Sequence, residues 1–390
     1  MPIFRRDVTV DLKPAVRPAV TFVLDVEPYF MGGGAEARKH DPVWKIRPTS
    51  VLGQVRWFWR LLHPELGVDD LRTREAKIFG GPSVPASFGL SVSILRPGTP
   101  ATLPDPGEPG GYLLFSARET DTGLPAADLS KRVAIAVSVA SLNGKAFDAS
   151  LVRAIKLWSM LGGVGARTRR GVGAVQLTGA EAPRSADDVK RRITELLPAP
   201  GVGAAGRTVR MVWVGREFSN AVDCFEAIDQ RYRKYRQDRP EGLGHNRWDE
   251  ADEIRRTTAR SRDGYTPQPP RGHHPGIWAR GVLGLPIVFK FKDNDDPEVT
   301  TLRPAGDPKS DRMASPLLMR PLRLSTGRYV PIVALLTGPY VRGAGFVLDG
   351  ATPQSVPVTP HVERVFSDLL PGLSAKDPAA NPLGLKVIYP

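Results

Sequence analysis

Hydrophobic and polar positions in the first half of the chain repeat with two periods, and the change of period separates predicted strands from predicted helices. Val20–Glu27 is rich in β-branched residues and Ser87–Leu95 alternates, so both are predicted to be strands. Ile46–Leu62 and Asp148–Leu161 carry apolar residues three and four positions apart, which predicts a helix in each. Further strands are predicted at Tyr112–Ser116, Arg132–Ala140 and Ala174–Thr178.

The second half begins the same order again, after a connection at residues 179–206 that contains a short predicted helix, Asp187–Leu197. Strands are predicted at Arg207–Val214, Leu285–Lys292, Ser315–Leu322 and Arg328–Leu336, and helices at Ser219–Gln237, Trp248–Thr257 and His361–Leu370.

Each half thus has the order strand, helix, strands, helix, strand. This order favours an α+β fold of two tandem ferredoxin-like units over a doubly wound parallel sheet, because too few helices separate the central strands. We expect one domain over 1–200 and a second, with helical insertions, over 201–390. Proline and glycine predict loops at 96–111 and 260–280.

The charge balance narrows the classes of partner. Lys and Arg number 54 against 41 Asp and Glu, which gives a net charge of +13. Such a surplus favours a polyanionic partner, nucleic acid first and an anionic membrane surface second. A basic protein without any such partner is consistent with the same numbers.

The number of cysteines and the hydropathy of the chain argue against disulfide-bonded, zinc-binding, secreted and membrane-spanning classes of protein. Cys224 is the one cysteine, so neither an intramolecular disulfide nor a cysteine-based zinc site is possible within this sequence. The first ten residues lack the apolar run of a signal peptide, and no stretch approaches the ~18 apolar residues that span a membrane. We therefore expect a cytoplasmic protein without a membrane partner.

The predicted helix Ile46–Leu62 carries basic and aromatic side chains away from its apolar stripe. The stripe contains Leu52, Val55, Trp59 and Leu62, flanked by Phe58. Arg56 and Arg60 share a neighbouring face, and Trp57 lies about 140° from Leu52 on a helical wheel. Guanidinium groups pair with phosphates and an indole can stack on a base, so this face suits RNA. Alternatively, a second layer of the same protein covers Trp57.

The segment Gly162–Gly173 (GGVGARTRRGVG) combines glycines with basic residues. Its glycines are Gly162, Gly163, Gly165, Gly171 and Gly173, and its cations are Arg167, Arg169 and Arg170. Bare backbone amides in such a loop can form an anion-binding nest. The spacing matches neither a P-loop nor GxGxxG, so no nucleotide cofactor is expected. The alternative is a mobile surface loop.

No catalytic or metal-binding constellation is evident from the sequence. The six histidines form neither HExxH nor HxH, and His40 with Asp41 is expected to be a loop feature. The acidic set Asp249, Glu250, Asp252 and Glu253 is expected to be a solvated helix face that pairs with Arg255 and Arg256. Cys224 is expected to be a small packed residue, and neither a metal nor a catalytic residue is predicted.

Several segments together resemble RAMP proteins of CRISPR systems. They are Ile46–Leu62 (IRPTSVLGQVRWFWRLL), Arg74–Gly81 (REAKIFGG), Gly162–Gly173, Trp248–Arg255, Gly284–Phe291 and Asp311–Leu322. Their order is similar to that in the first subunit of the type III-B (Cmr) effector complex. The resemblance implies two tandem ferredoxin-like, RRM-like RAMP domains in a complex that uses CRISPR RNA to silence foreign RNA in antiviral defence.

The resemblance also implies a role and a set of site residues. The role is a non-catalytic, RNA-binding subunit that contacts the 3′ part of guide or target RNA, with CRISPR RNA, target RNA and other Cmr subunits as partners. The implied RNA-binding residues are Arg47, Arg56, Trp57, Phe58 and Arg60 of the helix, together with the glycines and arginines of Gly162–Gly173 named above. Two alternatives stay open. One is a metal-independent RAMP endoribonuclease that matures guide RNA with His40 or His63, and the other is a purely structural subunit.

Overall fold

The computed structural model describes residues 18–32, 46–105, 107–115, 129–199, 208–237, 246, 248–272, 277–305, 312–336, 346–349, 354–356, 365–366, 369 and 383–389. In these ranges the strands are β1 (Ala19–Glu27), β2 (Phe30–Met31), β3 (Phe88–Arg96), β4 (Thr99–Pro100), β5 (Leu129–Lys131), β6 (Val133–Ser141), β7 (Ala174–Leu177), β8 (Val209–Val214), β9 (Ile287–Phe289), β10 (Thr300–Pro304), β11 (Leu317–Arg323), β12 (Tyr329–Leu336), β13 (Phe346–Asp349), β14 (Gln354–Val356) and β15 (Lys386–Tyr389). The helices are α1 (Pro48–Leu61), α2 (Val68–Phe79), α3 (Ala149–Leu161), α4 (Ala186–Leu196), α5 (Ala221–Gln237) and α6 (Glu250–Thr258).

The first half is built on a four-stranded antiparallel sheet with the strand order β3-β6-β1-β7. The chain passes from β1 through α1 and α2 to β3, and from β6 through α3 to β7, which is the path of a ferredoxin-like unit. Leu24 of β1 pairs with Ile135 of β6, and both are fully buried. The side chain of Asp148 caps α3 by accepting a hydrogen bond from the Ser150 amide at 2.8 Å.

The second half repeats this arrangement with a sheet of order β11-β12-β8-β15, again antiparallel. Helix α5 follows β8 and packs against β11 and β12. The other strands form two smaller sheets, of order β14-β13-β10-β9 and β2-β5-β4. The predicted α+β fold with two ferredoxin-like units is therefore confirmed. The domain boundary near residue 200 stays a prediction, because residues 200–207 lie outside the described ranges.

The two sheets share a continuous hydrophobic core, and β12 lies in the middle of it. All residues of β12 are buried. Val330 and Ile332 pack with the core of the first half, whereas Val333 and Leu335 pack with the α5 side. Because successive side chains of a strand point to opposite faces, this strand joins the two units.

A buried arginine of the second half also joins the units. Arg320 of β11 donates hydrogen bonds to the carbonyls of Ser159 at 3.1 Å, Gly162 at 2.6 Å and Val175, and to Gln176 Oε1 at 2.9 Å. Burial lowers the pKa of Arg320 to about 9. Two of these carbonyls lie at the C-terminal end of α3, where backbone oxygens lack helical donors and a positive charge is favourable.

The prediction of a strand at Tyr112–Ser116 is wrong over the described part of that segment. Residues 111–114 form turns, and no residue of the segment up to 115 is in a strand. The carboxylate of Asp229 in α5 accepts hydrogen bonds from the amides of Gly110 at 3.0 Å and Leu113 at 2.7 Å. These side-chain bonds take up donors that a sheet ladder would have used.

Some elements had no clear sequence signal. Helix α2 was not predicted, because its buried residues Glu75, Ile78 and Phe79 cluster in the second half of the helix and include a carboxylate. The short strands β10, β13, β14 and β15 were also missed. Most of the predicted helix His361–Leu370 lies outside the described residues. In the described ranges, no helix has the length and apolar character needed to cross a bilayer.

Candidate nucleic-acid interface

Helix α1 begins where proline fixes the backbone. Pro48 occupies its first turn, and Arg47 precedes it in an extended conformation. The carbonyl of Arg47 accepts from the amides of Ser50 at 3.0 Å and Val51 at 3.2 Å, so the helix is anchored without a side-chain cap. The side chain of Arg47 is exposed at this end of the helix.

The predicted cations of α1 meet a carboxylate from α2. Glu75, only 2% exposed, accepts hydrogen bonds from Nε of both Arg56 and Arg60. Arg60 binds in a two-pronged manner, since its Nη2 also lies 2.9 Å from Glu75 Oε2. Neither guanidinium group is therefore unpaired, and the helical wheel of α1 alone does not place Glu75 between them.

These ion pairs leave the face positively charged. Two guanidinium groups share one carboxylate, so the cluster keeps one net positive charge. The side chains of Arg56 and Arg60 remain 40% and 48% exposed. The buried carboxylate therefore fixes their orientation while their outer edges stay in contact with solvent.

The aromatic pair of α1 divides between core and surface. Phe58 is 1% exposed and belongs to the core, which corrects the expectation that its ring contacts bases directly. Trp57 is partly buried and packs edge-on against Phe58, with ring centroids 4.9 Å apart. The guanidinium carbon of Arg169 lies 5.2 Å from the Trp57 ring centroid. A layer of the same protein thus covers part of Trp57.

A small cavity of about 260 Å³ opens beside this indole. Gly53 and Trp57 of α1 line it on one side, and Thr168, Arg169 and Leu318 line it on the other. A flat indole and a guanidinium plane at one cavity are the groups on which an unpaired base stacks.

Most glycines of the segment Gly162–Gly173 are buried and allow close packing of its backbone. Gly162, Gly163, Gly171 and Gly173 are buried, which corrects the expectation that they contact RNA directly. At Gly173, φ is +69° and a Cβ would lie 1.9 Å from the carbonyl oxygen of Val164. Only glycine meets both conditions, since other residues rarely adopt this φ and have no space here. Gly165 is exposed.

The amides of the loop are largely used inside the protein. The amide of Val164 donates to the Gly173 carbonyl at 2.8 Å, and that of Gly173 donates to the Tyr29 carbonyl at 2.6 Å. The amides of Ala166, Arg170 and Gly171 also donate to backbone carbonyls. The predicted amide nest is wrong at these five positions, and the loop offers side chains instead.

The three loop arginines point to different places. Arg169 stacks beside Trp57 and donates from Nη1 to the Ser315 carbonyl at 2.5 Å. Arg170 donates from Nη2 to the Tyr232 hydroxyl at 2.7 Å. Arg167, in the left-handed conformation at φ +58°, lines a second cavity together with Arg170. The sequence grouped these cations, but the fold separates Arg169 from the other two.

The remaining catalytic candidates acquire structural roles where they are described. The Nδ1 of His63 lies 3.2 Å from Glu65 Oε1, and its ring lies 4.4 Å from the ring of Trp59. Cys224 is buried, and burial raises the pKa of its thiol well above the usual value. No cluster of metal-ligating side chains occurs in the described ranges. Residues His40, Asp41, His245, His273, His274 and His361 lie outside those ranges.

The acidic set of α6 is only partly as expected. Arg255 pairs with Asp252 at 3.2 Å and Arg256 pairs with Glu253, as predicted. The solvated face is wrong, however, because Asp249, Glu250 and Asp252 are buried. Glu250 binds the buried Arg280, with Oε2 and Nη2 2.7 Å apart. These carboxylates neutralise internal arginines of the second half.

Comparisons with known proteins show a family similarity for part of the chain and a fold similarity for most of it. Residues 26–176 match the family model of the RAMP superfamily. The crystal structure of apo Cmr1 from Pyrococcus furiosus is 15% identical with a TM-score of 0.53, over 95% of this chain and 98% of that chain. A chain of a type III-B Cmr-beta structure, bound to cognate target RNA and AMPPnP in the presence of ssDNA, is 9% identical with a TM-score of 0.50. That match covers 90% of this chain and 99% of the other.

A comparison with curated protein sequences finds no significant match. The similarity to the family covers the segment that contains α1, α3 and the glycine-arginine loop, whereas the similarity of fold covers nearly the whole length. Residues 26–176 of this chain are thus similar to the RAMP superfamily, and the overall fold is similar to that of apo Cmr1 from Pyrococcus furiosus.

Proposed function

We propose that this protein is a non-catalytic, RNA-binding subunit of a type III-B (Cmr) effector complex, acting in the cytoplasm in antiviral defence. Its partners are CRISPR RNA, target RNA and other Cmr subunits. It contacts the 3′ part of the guide or the target and contributes to target capture and assembly. The RAMP segment and the Cmr1-like fold support this assignment.

The observation that carries the proposal is the surface formed by α1 and Arg169. Trp57 and Arg169 flank a cavity of about 260 Å³, and Arg56 and Arg60 present a net positive charge on the same helix. Base stacking on the indole and phosphate contacts with the guanidinium groups are the two interactions by which proteins bind single-stranded RNA. The net charge of +13 favours the same partner.

Fluorescence anisotropy with a labelled single-stranded RNA tests the surface directly. Trp57→Ala should weaken binding by about 1–3 kcal/mol, because a stacking platform is lost. Arg60→Gln should weaken binding and reduce the slope of log K against log salt by about 0.7, the value for one phosphate on a single strand. Melting curves of each variant confirm that it is folded.

Lys190→Gln is the matched control, since Lys190 is an exposed cation on α4 and its removal changes the net charge by the same amount as Arg60→Gln. It should leave both the affinity and the salt slope close to those of the unmodified protein. Wild-type affinity in both Trp57→Ala and Arg60→Gln would refute the RNA-binding surface.

Two further measurements test the remaining parts of the proposal. Incubation of the purified protein with repeat RNA and EDTA should leave the RNA intact, whereas discrete cleavage would favour a metal-independent endoribonuclease. Co-expression with the other Cmr subunits and CRISPR RNA should bring this chain into the complex, and its exclusion from the purified complex would contradict the assignment.

A further inference from the structure

A second cavity, of about 390 Å³, lies where the glycine-arginine loop meets α5. Arg167 and Arg170 of the loop and Arg236 of α5 line it together. The rings of Tyr112 and Phe115 also line it, and Phe115 is 61% exposed. This cavity is distinct from the one beside Trp57, and the two share no lining residue.

Two of these arginines, Arg170 and Arg236, are fixed by hydrogen bonds to neutral groups. The hydroxyl of Tyr232 accepts from Nη2 of Arg170 at 2.7 Å and from Nη1 of Arg236 at 2.9 Å. Nη2 of Arg170 also donates to the Leu283 carbonyl at 3.0 Å. One phenol oxygen thus joins two guanidinium groups from different halves of the fold, so the cations are pre-oriented at the cavity.

Positive charge exceeds negative charge at this place. No aspartate or glutamate occurs among the described residues that line the cavity. The Nη1 atom of Arg170 is buried and has no hydrogen-bond partner within the described part of the chain. Glu250, which acts on Arg236 through space, is already engaged in the ion pair with Arg280.

The pKa shifts of the side chains that line the cavity are consistent with a buried cluster of positive charge. Burial, reinforced by the charge of Arg170, lowers the pKa of Arg167 to about 10. Burial also lowers the pKa of Arg170. Although burial opposes it, the charges of Arg170 and Arg236 lower the pKa of the Tyr232 phenol. The lowered pKa of Tyr232 reflects the two positive charges beside it, whereas the lowered pKa values of Arg167 and Arg170 reflect mainly their burial.

We propose that this cavity binds the phosphate group of one nucleotide, with its base against the Tyr112 or Phe115 ring. Guanidinium forks match phosphate oxygens, and an aromatic ring stacks on a base. The volume lies at the small end of ligand pockets, which suits a single nucleotide better than several. The same phosphate chemistry is offered by a free nucleotide and by the terminal phosphate of an RNA.

Isothermal titration of the full chain with AMP, adenosine and inorganic phosphate tests the site. AMP should bind and adenosine should bind at least about tenfold more weakly, because charge-assisted hydrogen bonds to the phosphate are lost. Arg236→Gln and Arg170→Gln should each reduce AMP affinity by about tenfold or more. Lys234→Gln is the control, since Lys234 is an exposed cation on the same helix.

Equal affinity for AMP and adenosine would overturn the proposal, as would the absence of AMP binding at millimolar concentration or wild-type AMP affinity in both arginine variants.

A pair of RNA oligonucleotides, with and without a terminal phosphate, distinguishes the two possible sources of the phosphate group. If Arg236→Gln lowers the affinity for the phosphorylated RNA only, the ligand is the terminal phosphate of an RNA. If it lowers the affinity for AMP and leaves the affinity for both RNAs unchanged, the ligand is a free nucleotide. Trp57→Ala should leave AMP binding unchanged, so failure of the proposed RNA surface is distinguishable from failure of this site.

Discussion

Replacement of Arg320 tests how the two ferredoxin-like units are held together. The Arg320→Met variant keeps a side chain of similar length and removes every donor. The buried guanidinium contacts three carbonyls of the first half, at Ser159, Gly162 and Val175, as well as the amide oxygen of Gln176. In the variant, these acceptors would face an apolar side chain in a site without solvent.

The size of the effect follows from these four contacts. A buried hydrogen bond contributes about 1 kcal/mol net, and an acceptor left unsatisfied costs at least as much. The four contacts with the first half therefore predict a loss of about 4 kcal/mol in the free energy of unfolding, and a fifth hydrogen bond, from Nε to the Pro321 carbonyl at 3.1 Å, is lost as well. Removal of a buried charge offsets part of this loss in the methionine variant.

Guanidinium denaturation, followed by tryptophan fluorescence and circular dichroism, measures the change. Arg323→Met is the matched control on the same strand. Arg323 is 35% exposed and pairs with Asp25 at 2.8 Å, a contact of the surface type that contributes about 0–1 kcal/mol. If Arg320→Met costs no more than Arg323→Met, the buried arginine does not join the units as argued.

Two further predictions concern α1. Gly53→Leu should raise the melting temperature, because glycine costs about 0.8–1 kcal/mol in a helix interior and no atom lies within 4 Å of the position for a Cβ. The same change should lower RNA affinity in anisotropy, since the new side chain occupies the cavity beside Trp57; affinity that rises together with stability would contradict the stacking site. Glu75→Gln should lower the melting temperature and strengthen RNA binding at low salt, because Arg56 and Arg60 lose their counter-charge. Unchanged affinity would show that these cations do not meet phosphate.

The sequence predicts most of the fold because periodicity marks both central sheets. Val20–Glu27 and Arg132–Ala140 are found as neighbouring strands β1 and β6, and Asp148–Leu161 is found as α3 with Asp148 as its cap. Prediction fails where tertiary contacts decide. Tyr112–Ser116 has the composition of a strand, but the carboxylate of Asp229, more than a hundred positions away, binds its amides instead.

In the candidate site, too, features set by local helix geometry could be predicted, whereas features set by tertiary packing could not. Wheel geometry correctly groups Arg56 with Arg60, because residues four apart share a helix face. It does not place Phe58 in the core or Glu75 beneath the arginines, since both depend on how α2 and α3 pack on α1. Nor does spacing along the loop reveal that Arg169 turns towards Trp57 while Arg170 turns towards Tyr232.

The ion pair on Glu75 gives a physical reason for two of the sequence segments to occur together. The segment Arg74–Gly81 supplies the buried carboxylate, and Ile46–Leu62 supplies the two cations that it orients. Without Glu75, two guanidinium groups four residues apart would repel each other and spread into solvent. With it, one charge is neutralised and both guanidinium groups are held in fixed positions on the surface. The acidic residue of α2 is therefore part of the basic surface, although it bears the opposite charge.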